Sequence, residues 1–116
     1  MDVIKCDVGY IYALYYNGKP FYIGQTKKTI SYRFSQHKNS FTKRNKLVYR
    51  FLLSITDKYS FYDNVKIRPL KAVSVYNLDY EEMRYVKHCI DNGITIYNDC
   101  VKTNSYRVYK NLAKKG

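Results

Sequence analysis

The chain has 116 residues, 46% of them hydrophobic, with 21 Lys and Arg against nine Asp and Glu and a formal net charge of +12. That length supports one domain around a single core without a metal or disulfide staple. No run approaches the ~20 apolar residues of a membrane span, and Met1 to Cys6 lacks the apolar stretch of a secretory leader, so a cytoplasmic protein is expected.

The first elements are two apolar-aromatic runs, Tyr10-Ile11-Tyr12 and Tyr22-Ile23-Gly24, separated by Tyr15 to Pro20. Asn17-Gly18 between them predicts a hairpin, because primed turns need positive φ at both central residues. Alternation along a strand puts Tyr10 and Tyr12 on one side, with Ile11 and Leu14 expected towards the other. Thr29 reads as an N-cap, and Ile30, Phe34 and His37 recur at helical spacing, predicting an amphipathic helix over about 29–39. Asn45 is the expected cap of a second helix whose apolar face is Leu47, Val48, Phe51, Leu52 and Ile55. Tyr59 to Asn64 reads as a turn.

Val65 to Arg68 alternates as a strand, and Pro69 confines it to an edge or an interruption. Extended chain continues from Leu70 to Val75. Asp79-Tyr80-Glu81-Glu82 has the form of a capping box, opening a helix that turns Met83, Val86 and Ile90 inward and ends at Asn92-Gly93. Ile94 to Asn98 is a short extended segment, and a basic tail runs over 103–116. This order predicts an α+β fold, a small three-stranded antiparallel sheet flanked by helices. Of the 15 tyrosines, Tyr76, Tyr80 and Tyr97 fall at core spacing, where the ring packs and the hydroxyl stays wet.

Cys6, Cys89 and Cys100 have no CxxC spacing and read as reduced thiols, in keeping with a reducing cytosol. The excess of Lys and Arg is the electrostatic footprint of a polyanion binder, attracting phosphate backbones without regard to sequence. Lys27 and Lys28 follow the hairpin, and Lys43, Arg44 and Lys46 form a second basic cluster. Both are candidate nucleic-acid contacts.

The tract Tyr22-Ile23-Gly24-Gln25-Thr26 to Ile30 and Arg33, with Tyr12 before it, resembles the GIY-YIG nuclease family, whose usual form is YIG-x-T-x-x-x-I-x-x-R. Glu82-Met83-Arg84-Tyr85-Val86, followed by Asn98, is similar to the family's E-x-x-[YW]-[IV]…N tract. The resemblance covers residues 9–98 of a single domain, 1–116. One departure stands out: the first motif's glycine is displaced to Gly9, with Tyr10 in its place.

The resemblance implies a Mg²⁺-dependent endonuclease, with Mn²⁺ as a substitute, acting on DNA, most simply duplex. Tyr12, Tyr22, Arg33, His37 and Glu82 would be its catalytic residues, with Glu82 the metal ligand and Glu81 a fallback. Gly24 and Asn98 would support the site. An arginine suits a scissile phosphate because its planar fork donates paired hydrogen bonds and keeps its charge. Tyr12 would serve as a base only if neighbouring cations lowered its pKa. His37 would donate to phosphate or position water; its alternative is a packed histidine. Two other readings stay open: a non-catalytic nucleic-acid-binding module with the same fold, and a basic protein engaging an acidic partner.

Overall fold

A computed structural model describes residues 7–99. Cys6, Cys100 and the basic tail lie outside the described residues. Strands β1 (Val8–Tyr16) and β2 (Lys19–Thr26) form the hairpin, followed by helices α1 (Ile30–Ser40), α2 (Leu47–Ile55) and the short α3 (Phe61–Asn64). Strand β3 (Val65–Ser74), a 3₁₀ turn (Val75–Asn77) and helix α4 (Leu78–Asp91) complete the order. The sheet is antiparallel throughout, ordered β2-β1-β3.

The hairpin turns as its sequence requires: Asn17 has φ 52° and Gly18 φ 76°. Two bulges shape the sheet. Opposite Leu14 and Tyr15 the register skips Phe21, which packs on Phe51 with ring centroids 4.8 Å apart. Opposite Ile11 and Tyr12 it skips Leu70, directly after Pro69, the residue that lacks a ladder donor.

Each sheet face carries its own core. On one, Tyr12 and Leu14 pack with Phe41, Val48, Leu52 and Phe61. On the other, Ile11, Ala13 and Ile23 pack with Leu78, Val86 and Cys89. Leu14 therefore shares the face of Tyr12, as its even spacing demands, and not that of Ile11.

Local endings correct several expectations. Thr29 does cap α1, its hydroxyl accepting from Tyr32 N. Lys46, not Asn45, precedes α2 and gives no side-chain cap. Residues 61–64 form a helical turn. The residue flanking α4 is Asn77, and Asp79 lies inside the first turn. The capping box does not form, because the Asp79 carboxylate accepts instead from Gln25 Nε2 at 2.7 Å. Tyr76 and Tyr80 are exposed, whereas Tyr97 stacks on Phe51 at 4.2 Å.

After α4, Gly93 takes φ +70° and the chain returns along the free edge of β2. Tyr97 N donates to Phe21 O at 2.7 Å. The buried Asn98 side chain then accepts from Ile23 N at 3.1 Å and donates to Ile23 O at 2.6 Å. One side chain thus occupies both backbone groups that Ile23 turns away from β1.

Candidate functional site

Tyr12 stands mid-strand in β1, fully buried, opposite Gly24 of β2. A Cβ at Gly24 would collide with the Tyr12 phenol and crowd the Tyr22 ring. Only glycine leaves room for the ring to lie across the strand. The displaced Gly9 has its own cause: a Cβ there would come 2.7 Å from Leu78 Cδ1 and 2.8 Å from Thr26 O. It lets α4 begin close against β1.

Helix α1 places Arg33 and His37 one turn apart over this ring. Arg33 Nε donates to Tyr12 Oη at 3.2 Å, and its Nη1 reaches Gln36 Oε1 at 3.3 Å. On the inner side, His37 Nε2 lies 2.6 Å from Tyr12 Oη. His37 Nδ1 lies 3.0 Å from Tyr49 Oη, contributed by α2. The result is a buried chain, Tyr12–His37–Tyr49, with Arg33 at its outer end. Tyr22 adds an edge contact to His37, with ring centroids 5.7 Å apart.

Burial sets the protonation of this chain. It pushes the His37 imidazole down to about 3, assisted by the Arg33 and Lys46 charges, so the ring is neutral. One ring nitrogen then donates and the other accepts. Burial also raises Tyr12 well above the phenol range, and the opposing effect of Arg33 does not offset it. The lowered phenol that a direct base needs is therefore not found; Tyr12 is a neutral hydroxyl. Tyr22 is raised for the same reason, with Tyr12 and Glu82 adding to it.

Glu82 arrives from α4, packed against the opposite sheet face, yet lies close enough to act electrostatically on both Tyr12 and Tyr22. Burial lifts its carboxyl to about 6; a hydrogen bond from Gln25 opposes the rise and the Asp79 charge adds to it. Glu81 is elsewhere. Its two oxygens are held by Lys71 Nζ at 2.9 Å and Arg84 Nη1 at 3.0 Å, which keeps its carboxyl below the usual range. The two adjacent glutamates thus serve different surfaces.

Among the described residues no group of three His, Cys, Asp or Glu could hold a metal ion. A desolvated Glu82 with Asp79 beside it fits a hard cation that keeps most of its waters and takes one or two carboxylates. Glu81, already paired to two cations, does not fit that role.

The structure therefore brings Tyr12, Tyr22, Arg33, His37 and Glu82 together around Gly24, with Asn98 bracing Ile23, the residue before it in β2. Arg44 and Lys46 surround the inner end of the buried chain: Lys46 Nζ lies 5.7 Å from the Tyr49 ring centroid, and Arg44 acts on the Tyr49 hydroxyl. Lys27 and Lys28 are exposed in the turn leading into α1, and Lys43 is exposed beyond its end.

Sequence reasoning missed Tyr49, Gln25 and Asp79 as site residues. Tyr49 sits in an apolar helix stripe, where a tyrosine reads as packing. Gln25 and Asp79 are joined only by the tertiary fold. No protein-family model, curated protein or solved structure matches this chain.

Proposed function

We propose that this chain is a divalent-cation-dependent DNA endonuclease of the GIY-YIG type, hydrolysing phosphodiester bonds at the Tyr12–Arg33 cluster. The observation that carries this reading is the Tyr12 hydroxyl, held between Arg33 Nε and His37 Nε2 over the space left by Gly24. A neutral phenol gripped on two sides is an oriented group. Orientation of a reacting water is what hydrolysis needs from it.

Arg33 binds the non-bridging phosphate oxygens and keeps its charge as the extra negative charge develops. Tyr12 accepts from Arg33 with one lone pair and offers the other to the attacking water. With Nε2 of His37 unprotonated and Nδ1–H donated to Tyr49, the Tyr12 proton points at Nε2. Because burial holds His37 neutral, Tyr12 keeps its proton and orients the water. As the water oxygen bonds to phosphorus and the bond to the leaving oxygen breaks, the proton of the water passes to bulk solvent. Glu82, with Asp79, would hold Mg²⁺ or Mn²⁺, which supplies Lewis-acid stabilisation of the leaving oxygen. Lys27, Lys28, Lys43, Arg44 and Lys46 supply the sequence-independent grip on duplex DNA.

The second reading is a non-catalytic nucleic-acid-binding module, favoured by the raised phenol of Tyr12. Against it stands Glu82, a carboxylate that repels a phosphate unless a cation lies between them. Nicking of supercoiled plasmid with and without Mg²⁺ separates the two. Cleavage that needs the metal and is lost in Arg33→Ala and Glu82→Ala supports the enzyme. Salt-dependent binding without cleavage under any divalent cation supports the module.

A further inference from the structure

The face of the sheet opposite the Tyr12 cluster carries a second cationic feature that the proposed reaction leaves unused. Between β3 and α4 lies a cavity of about 270 Å³, lined by Lys71, Glu81, Arg84, Tyr85 and His88. Glu81 is buried at its wall and takes one contact from each cation, Lys71 at 2.9 Å and Arg84 at 3.0 Å. Each contact uses one N–H of its donor. Two ammonium protons of Lys71 and the remaining guanidinium protons of Arg84 stay available, on side chains that are 46% and 60% exposed.

The neighbours hold these cations in place. The Arg84 guanidinium lies 5.9 Å from the Tyr80 ring centroid, and along β3 that of Arg68 lies 5.3 Å from the ring of Tyr15. A stacked arginine loses less freedom on meeting an anion than a mobile one. Lys71 and Arg84 outnumber the single carboxylate of Glu81 at the cavity, and Arg68 adds a further cation three residues away on β3. The Glu81 carboxylate acts as a spacer setting two cations side by side. A purely structural ion pair has no need of an open cavity or of an excess of cations.

We propose that the β3–α4 groove is a second phosphate-binding site, which takes the sugar-phosphate backbone of a nucleic-acid segment on the sheet face away from Tyr12. Charge complementarity and the paired donors select a phosphate diester, and Tyr85 and His88 offer flat surfaces beside it. The site works by binding alone and does not depend on cleavage at Tyr12.

The test is fluorescence anisotropy of a labelled duplex and of its single strand, titrated with full-length protein across a salt series. All proteins carry Arg33→Ala, which keeps binding separate from cleavage. Arg68→Gln with Arg84→Gln should weaken binding roughly tenfold and reduce the salt slope by about 1–2. Glu81→Gln removes the opposing charge while keeping its shape, so it should bind as well as or more tightly than its parent. An unchanged melting temperature for the double arginine variant excludes misfolding as the cause of a loss. A control of equal charge change, Lys19→Gln with Lys58→Gln, should leave most of the affinity.

Equal losses in the groove pair and the control pair would overturn the proposal, as would weaker binding by Glu81→Gln. Inorganic pyrophosphate added as competitor distinguishes the sources of phosphate. If it shifts the amide resonances of Tyr85 and His88 in a protein that binds no oligonucleotide, the groove takes free phosphates, and a nucleic-acid backbone is excluded.

Discussion

The two faces of this sheet handle polar groups in opposite ways. On the α1–α2 face, three polar side chains lie inside the core, each hydrogen-bonded to the next, with a single charge, Arg33, at the outer end. On the α4 face the interior is apolar, and the charges of Lys71, Glu81 and Arg84 gather at the rim. Buried polar chains fix geometry because each unmade bond is costly. Rim ion pairs contribute little stability, because water competes for every partner. The face ordered by buried hydrogen bonds is the one on which we place the proposed reaction.

The largest contrast should appear in activity. Arg33→Ala is expected to lower plasmid cleavage by about 10²–10³-fold, the scale of losing one preorganised donor to a developing charge, with little change in melting temperature. Arg84→Ala on the other face should leave the rate constant for bound substrate unaltered. If Arg84→Ala slowed single-turnover cleavage as much as Arg33→Ala, the division of labour between the faces would be wrong.

Acid stability comes next. The ordinary value of 6.5 for His37 falls to about 3 in the folded chain. Folding therefore favours the neutral ring, and the stabilisation is complete above pH 6.5. It declines as pH falls towards 3, by at most ~1.4 kcal/mol per pH unit. Urea unfolding between pH 7 and 4 should show this slope, and His37→Gln should flatten it. Because the variant also leaves Tyr12 and Tyr49 poorly paired, it should lose roughly 1–3 kcal/mol at pH 7.

Glu82 contributes a smaller effect of opposite sign. Its carboxyl rises from 4.5 to about 6, so folding favours the protonated form. Stability from this group is present below pH 4.5 and falls by ~2 kcal/mol as pH rises through 6. Cleavage should move the other way, increasing through pH 6 as the carboxylate becomes available to a cation. Glu82→Gln should be at least as stable at pH 7 and should show no Mg²⁺-dependent activity. The smallest change is expected for Glu81→Gln, a slight shift in melting temperature that added salt removes.

Much of the architecture was legible because it rests on local rules. The Asn17-Gly18 turn, the Thr29 cap, the Gly93 stop and the edge placement of Pro69 each follow from backbone constraints on one or two residues. The α4 start was not legible in the same way. Asp79 and Glu82 have the right spacing for a box, but Gln25, 54 residues away in sequence, takes the Asp79 carboxylate. Leu14 lies on the face of Tyr12, because side chains two residues apart along a strand share a side. Tyr49 was hidden by its surroundings, where a tyrosine in an apolar stripe reads as packing. Its hydroxyl acquires meaning only once α1 brings His37 against it. Tyr76 in the 3₁₀ turn and Tyr80 in the first turn of α4 show the converse, apolar spacing that the fold leaves in solvent.

The grip of Asn98 on Ile23 has a consequence beyond the site it braces. A bare β2 edge would offer unpaired backbone groups as a template for a strand from another molecule. By filling both groups of Ile23 with one amide, and that of Phe21 through Tyr97 N, the chain closes its own edge without a fourth strand. Asn98 therefore blocks this stretch of the β2 edge from pairing with a strand of another molecule.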